Sequence, residues 1–131
     1  MTPRVVTGFT LDTGALLALD HPARAGLMQA RIEDARRRGA GLCVPAGVVA
    51  QAWRSPRQVR LARLIKAADL EVAAFTPSEA RAVGALCAET GHDDVVDVHV
   101  ALCARRRGHA VVTSDPDGIA RVDPSLTVVP V

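Results

Sequence analysis

Apolar residues along this chain recur in two alternating periods. Residues 5–11 (VVTGFTL) form a short β-rich run that ends at Asp12. Residues 13–19 then read as a helical turn or two, stopped near Asp20, His21 and Pro22. Across 23–38, Leu27, Met28, Ile32 and Ala35 are spaced for one helical face, closed by Gly39 and Gly41. Residues 42–44 are a brief second strand. Pro45 suits the first turn of the helix that follows over 46–54, which carries Val48, Val49, Ala52 and Trp53 and ends at Ser55 and Pro56. Residues 57–68 set Val59, Leu61, Leu64 and Ile65 opposite an arginine stripe, and 70–75 (LEVAAF) form a third strand. Thr76 as N-cap, Pro77 at the first helical position and Glu79 three residues on predict a helix to about residue 89, closed by Gly91. A helix over 94–107 stops at Gly108. A strand over 110–113, a turn or helix near 117–122 and a last strand over 126–129 complete the chain.

Strands alternate with helices throughout, and most strands are apolar on both faces. This pattern predicts a single three-layer α/β/α domain over residues 1–131, with a central, mostly parallel sheet of four to five strands.

Composition sharpens that picture. Hydrophobic residues make up 49% but aromatics only 2%, so the core must be aliphatic. No apolar run approaches the ~20 residues of a membrane span, and the N-terminus, with its one arginine, reads as a first strand rather than a signal peptide. A cytoplasmic protein is expected. Cys43, Cys87 and Cys103 are far apart in sequence and form no CxxC or Cys/His ligand pair, which favours buried reduced thiols. With no HxH or HxxxH pair among the four histidines, a zinc site is not expected. The net charge of +2 is weak, but arginines cluster at 36–38, at 54, 57, 60 and 63, and at 105–107. Solvated helix faces explain each cluster taken singly, although guanidinium forks also suit phosphate oxygens.

The candidate chemistry is acidic. A helix from Asp94 to Arg107 descends about 20 Å at ~1.5 Å per residue, and a strand from His109 to Asp115 climbs about 20 Å at ~3.3 Å per residue. Packed antiparallel, the two return Asp115 beside Asp94 and Asp97. Asp12 ends the first strand, on the same side as the carboxyl ends of the others, where open parallel sheets bind ligands. Converging carboxylates repel unless a hard cation neutralises them, and all-oxygen ligation suits Mg²⁺ or Mn²⁺. Each aspartate also has a plainer role. Asp12 can cap its helix, Asp93 or Asp94 can cap the next, and Asp115 begins a good turn sequence. Asp97 lies inside an otherwise Val/Ala-rich helix, where an unpartnered carboxylate is costly. Asp12, Asp97 and Asp115 together favour the functional reading.

Four segments then come into register: LDTGALLAL, VPAGVVAQAWR, DVVDVHVALCARRRG and HAVVTSDPDG. In combination they resemble the PIN domain, and specifically the VapC-type toxins of bacterial toxin–antitoxin pairs. The resemblance implies a metal-dependent endoribonuclease using Mg²⁺ or Mn²⁺, held inactive by a small cognate antitoxin, and a homodimer. It implies that Asp12, Asp97 and Asp115 stand at the family's first, third and fourth acidic positions. Thr13 and Ser114 stand at small polar positions beside the site, and Arg54 at a basic position near the RNA or antitoxin surface.

The family's second acid, a glutamate, is Gln51 here. An amide can ligate through its carbonyl but supplies no charge and cannot act as a base. Three outcomes follow: Asp94 supplies the missing carboxylate, the site demands more metal, or the chain is a non-catalytic PIN-fold module binding RNA or protein. The first is favoured, because Asp94 and Asp97 share a helix face. A phosphorelay receiver, the remaining α/β alternative with clustered aspartates, needs a lysine at the pocket, and Lys66 is the only lysine.

Overall fold

The computed structural model describes residues 5–131; residues 1–4, within the expected domain and N-terminal strand region, lie outside the described residues. Five strands make one parallel sheet: β1 (Gly8–Leu11), β2 (Gly41–Pro45), β3 (Leu70–Ala73), β4 (His109–Thr113) and β5 (Val128–Pro130), in the order β3-β2-β1-β4-β5. The chain moves outward from β1 through β2 to β3, then returns to the other side of β1 for β4 and β5. The strand order therefore reverses between β1 and β4, the kind of switch point beyond whose carboxyl ends open parallel sheets bind ligands.

β1, β3 and β5 are shorter than the apolar runs that encode them, because pairing is limited by the neighbouring strand, whereas β2 and β4 extend slightly beyond theirs. β1 starts at Gly8, paired with Gly41 and His109, and Val5 before it is 76% exposed. β3 ends at Ala73 opposite Pro45, which leaves Phe75 exposed. β5 begins two residues later than expected; Leu126 is buried but lies before the ladder.

Side chains alternate across the sheet as strand geometry requires. Phe9, Leu11, Leu42 and Val112 line a cavity of about 180 Å³ with Met28 and Ile32 of α2 (Ala25–Arg37). On the opposite face Cys43 packs against Cys103 of α6 (Val95–Arg107). Layers on both faces thus make the α/β/α sandwich. The buried stripe of α2 is Ala25, Met28, Ile32 and Ala35. Leu27, expected on that face, is 54% exposed, since it sits about 100° around the helix from Met28. Val59 is likewise exposed at the start of α4 (Val59–Lys66), whose buried residues are Leu61 and Leu64.

The remaining helices are α1 (Thr13–Ala18), α3 (Ala46–Ala52), α5 (Pro77–Thr90) and α7 (Pro116–Val122). Thr76 caps α5 as its sequence predicts, accepting from the Glu79 N–H at 3.1 Å. Gly108, at φ 68°, ends α6 in the left-handed region and lets His109 begin β4 at once. This tight reversal makes α6 and β4 a hairpin-like unit, with the N-terminus of α6 at the carboxyl edge of the sheet. Among the described residues, no helix is long and apolar enough to cross a membrane.

Candidate active site

Asp12 is the first residue after β1 and the N-cap of α1, so its carboxylate is set by a strand end and a helix start together. Its Oδ1 accepts from the Ala15 N–H at 2.9 Å, and its Oδ2 accepts from the Thr113 hydroxyl at the end of β4. The Ser114 N–H, next along the chain, also favours the charged form. The residue is 5% exposed. Burial pushes its carboxyl above the usual carboxylate range; Thr113, Ala15 and Ser114 pull the other way, and the charge of Asp115 adds to the rise. No arginine or lysine among the described residues pairs with it.

Thr113 organises two acids at once. While its hydroxyl donates to Asp12, its oxygen accepts from the Asp115 N–H at 2.8 Å. Asp115 is exposed and caps α7, with Oδ1 accepting from the Gly118 N–H at 3.1 Å. Gly118 is tight against that carboxylate: a Cβ there would stand 2.2 Å from Asp115 Oδ2. Ser114 closes onto Gly14, where a Cβ would stand 1.8 Å from the Ser114 oxygen, so the first turn of α1 and the end of β4 pack with no room for a side chain.

Asp97 lies in the first turn of α6, half-buried. Its carboxyl is also raised, first by burial and then by Asp94; His92 opposes the shift, and Asp12 adds to it. The His92 Nε2 lies 3.5 Å from Asp97 Oδ2. Asp12 therefore senses Asp115, and Asp97 senses Asp94 and Asp12. The carboxylates are nonetheless not a closed cage: among the described residues, the only three metal-capable donors found within 4.8 Å of one another are Glu79, His99 and Cys103.

Asp94 is seen in its capping role. It is the exposed N-cap of α6, its Oδ1 accepting from the N–H groups of Val96 (3.0 Å) and Asp97 (3.1 Å). Both bonds use one oxygen, and its charge remains next to Asp97. Gln51, in the last turn of α3, accepts at Oε1 from the Thr13 hydroxyl at 2.6 Å, which puts it one residue along from Asp12. Arg54 is not brought to the aspartates. Its Nη1 folds back onto the carbonyls of Ala50 (3.0 Å) and Trp53 (2.7 Å) at the end of α3.

The arginine clusters divide. Arg36 pairs with Asp69 and Arg37 and Arg38 with Asp34, while Arg105, Arg106 and Arg107 pair with Asp123, Glu79 and Glu71. Arg54, Arg57, Arg60 and Arg63 form no ion pair among the described residues. Two contributors escaped sequence reasoning. His92 stands in no HxH or HxxxH spacing, and Thr113 is hidden because its bond to Asp12 spans 101 residues of chain.

Asp12, Asp97 and Asp115 fit a hard divalent cation: they are oxygen donors, two with raised carboxyls, none paired with an arginine or lysine among the described residues. Residues 9–124 match the family described as PIN domain. The chain belongs to that family, whose members are generally metal-dependent nucleases. A search of curated proteins finds no match.

Proposed function

We propose that the protein is a Mg²⁺- or Mn²⁺-dependent endoribonuclease of the VapC type, the toxin of a type II toxin–antitoxin pair, working in the cytoplasm as a single domain over residues 1–131. The observation that carries this is Asp12: a buried carboxylate, oriented by hydrogen bonds from Ala15 and Thr113, whose charge and those of Asp97 and Asp115 are felt together, with no arginine or lysine partner among the described residues. Leaving such a charge unneutralised is destabilising unless something else neutralises it.

Asp12, Asp97 and Asp115 would hold the ion, with Asp94 adding negative charge in place of the glutamate that Gln51 replaces. A bound Mg²⁺ or Mn²⁺ supplies Lewis acidity to a phosphoryl group and lowers the pKa of water. The chain's own residues do the positioning. Thr113 fixes Asp12 and the backbone of Asp115 relative to each other, and His92 flanks Asp97. Thr13, Gln51 and Ser114 line the approach. Arg57, Arg60 and Arg63 offer guanidinium groups to the RNA backbone, which predicts salt-dependent binding. Arg54, turned onto its own helix, stiffens the end of α3 near that track. A small antitoxin and a second copy of the chain are the expected protein partners.

Cleavage of RNA is the test. Wild type cuts RNA with Mg²⁺ and stops under chelation, while Asp97→Asn loses about 10²-fold or more in rate. Equal activity in the two proteins, or cleavage surviving full chelation, contradicts the proposal. A non-catalytic PIN-fold module is the second reading. It is favoured by the neutral Gln51, whose oxygen is already engaged by Thr13. It predicts RNA or protein binding without cleavage and only weak affinity for Mn²⁺.

A further inference from the structure

A second set of donors sits deeper on the same helix. His99 and Cys103 are four residues apart on α6, so they lie on one face a turn apart. Glu79 of α5 leans onto them: its Oε1 is 3.1 Å from the His99 Nε2. The donor atoms of the three residues all lie within 4.8 Å of one another. His99 is 2% exposed and Cys103 fully buried. The expectation that no cysteine forms a ligand pair with a histidine fails here: His99 and Cys103 are a mixed His/Cys pair at helical spacing, and the third donor comes from another helix.

We infer that Glu79, His99 and Cys103 form a second metal site, suited to a borderline transition cation of the Zn²⁺ class and separate from the aspartate site. One nitrogen, one sulfur and one oxygen donor are the usual zinc ligands, and three protein ligands leave a fourth position open. An open depression of about 470 Å³, lined in part by Glu71, Thr76, Glu79, Arg106 and Arg107, reaches Glu79 and supplies both an entry path and room for a solvent ligand. The arginines beside it do not repel a cation outright, since Arg107 is bound to Glu71 and Arg106 to the other oxygen of Glu79, Oε2. Oε1 can therefore turn to the metal while the Arg106 bond persists. Coordination uses the Nε2 lone pair of His99, so the ring proton resides on Nδ1, and Cys103 releases its thiol proton to solvent. Without metal that proton is held firmly: the hydrogen bond with Cys43 and then burial raise the Cys103 thiol. Occupancy would clamp α5 to α6 two residues from Asp97.

Cobalt(II) added to chelator-treated protein tests this independently of nuclease activity. The expected result is a thiolate-to-cobalt charge-transfer band in the near ultraviolet that saturates at one equivalent and disappears when Zn²⁺ is added. The band is lost in Cys103→Ser and in His99→Gln, weakened in Glu79→Gln, and retained in Asp12→Asn, whose altered site has only oxygen donors. Absence of the band in wild type, or its survival in both Cys103→Ser and His99→Gln, overturns the inference and leaves the trio as a hydrogen-bonded brace between helices. Circular dichroism of each variant separates loss of a ligand from loss of the fold.

Discussion

The two ends of α6 meet acidic side chains in opposite circumstances. At the N-terminal end, Asp97 and its neighbours Asp94 and Asp12 have no arginine or lysine partner among the described residues, and Asp97 and Asp12 are raised by burial first. Toward the C-terminal end, Arg106 and Arg107 each take a glutamate, Glu79 and Glu71. The paired arginine holds the Glu71 carboxyl below its usual range. One helix thus matches charge where it braces neighbouring elements and leaves charge unmatched at the switch point of the sheet. Matched pairs carry no charge that asks for a cation, so the second site inferred at Glu79 rests on its mixed donor set instead. Unmatched buried carboxylates call for a ligand, and for this reason the hydrolytic metal is proposed at the N-terminal end.

The comparison can be broken most severely at Asp97, where removal of one charge is expected to abolish most cleavage. Asp94→Asn sharpens it. Asparagine caps helices as well as aspartate does, so the start of α6 should keep its stability while the compensating charge is lost. If Asp94 stands in for the missing glutamate, cleavage at limiting Mg²⁺ falls about tenfold or more, within the range for groups that support a metal site. If it is only a cap, rate and thermal midpoint both stay at wild-type values. The smallest effect belongs to the matched end. Glu71→Gln removes a bidentate but half-exposed pair, 2.7 Å from Arg107, and should cost about 0–1 kcal/mol in denaturant unfolding with no change in cleavage. A large loss of activity there would erase the distinction between the two ends.

Much of this was legible in the chain. The parallel α/β sandwich follows from the alternation of apolar periods. Asp12, Asp97 and Asp115 stand out because each occupies a strand end or a helix start that the pattern places at one edge. Strand limits were less legible, since β1 begins and β3 ends where a neighbour does rather than where its own apolar run does. Leu27 and Val59 were misplaced because helices bury a stripe, and one residue of shift turns a side chain about 100° away. Asp94 could be read as cap or ligand from sequence, and its N-cap geometry is visible only once Val96 and Asp97 are seen donating to it. The proximity of Cys43 to Cys103, and of Glu79 to His99, depends on packing between elements distant in sequence, which residue spacing does not encode.

The central claim, that the unmatched aspartates await a divalent cation, is tested most directly by calorimetric titration of Mn²⁺ into wild type and Asp12→Asn across a pH series. The carboxyls of Asp12 and Asp97 are raised, so the folded chain binds protons more tightly there than the unfolded chain does. Stability of the metal-free protein should therefore fall as pH rises through those values, then level off once both are ionised. Mn²⁺ should bind wild type at neutral pH and offset that fall. Its affinity should weaken as pH is lowered, beginning above the ordinary carboxylate range, and binding at the aspartates should be lost in Asp12→Asn. Titration heats that are indistinguishable between the two proteins, or an affinity that does not change with pH, would contradict the claim.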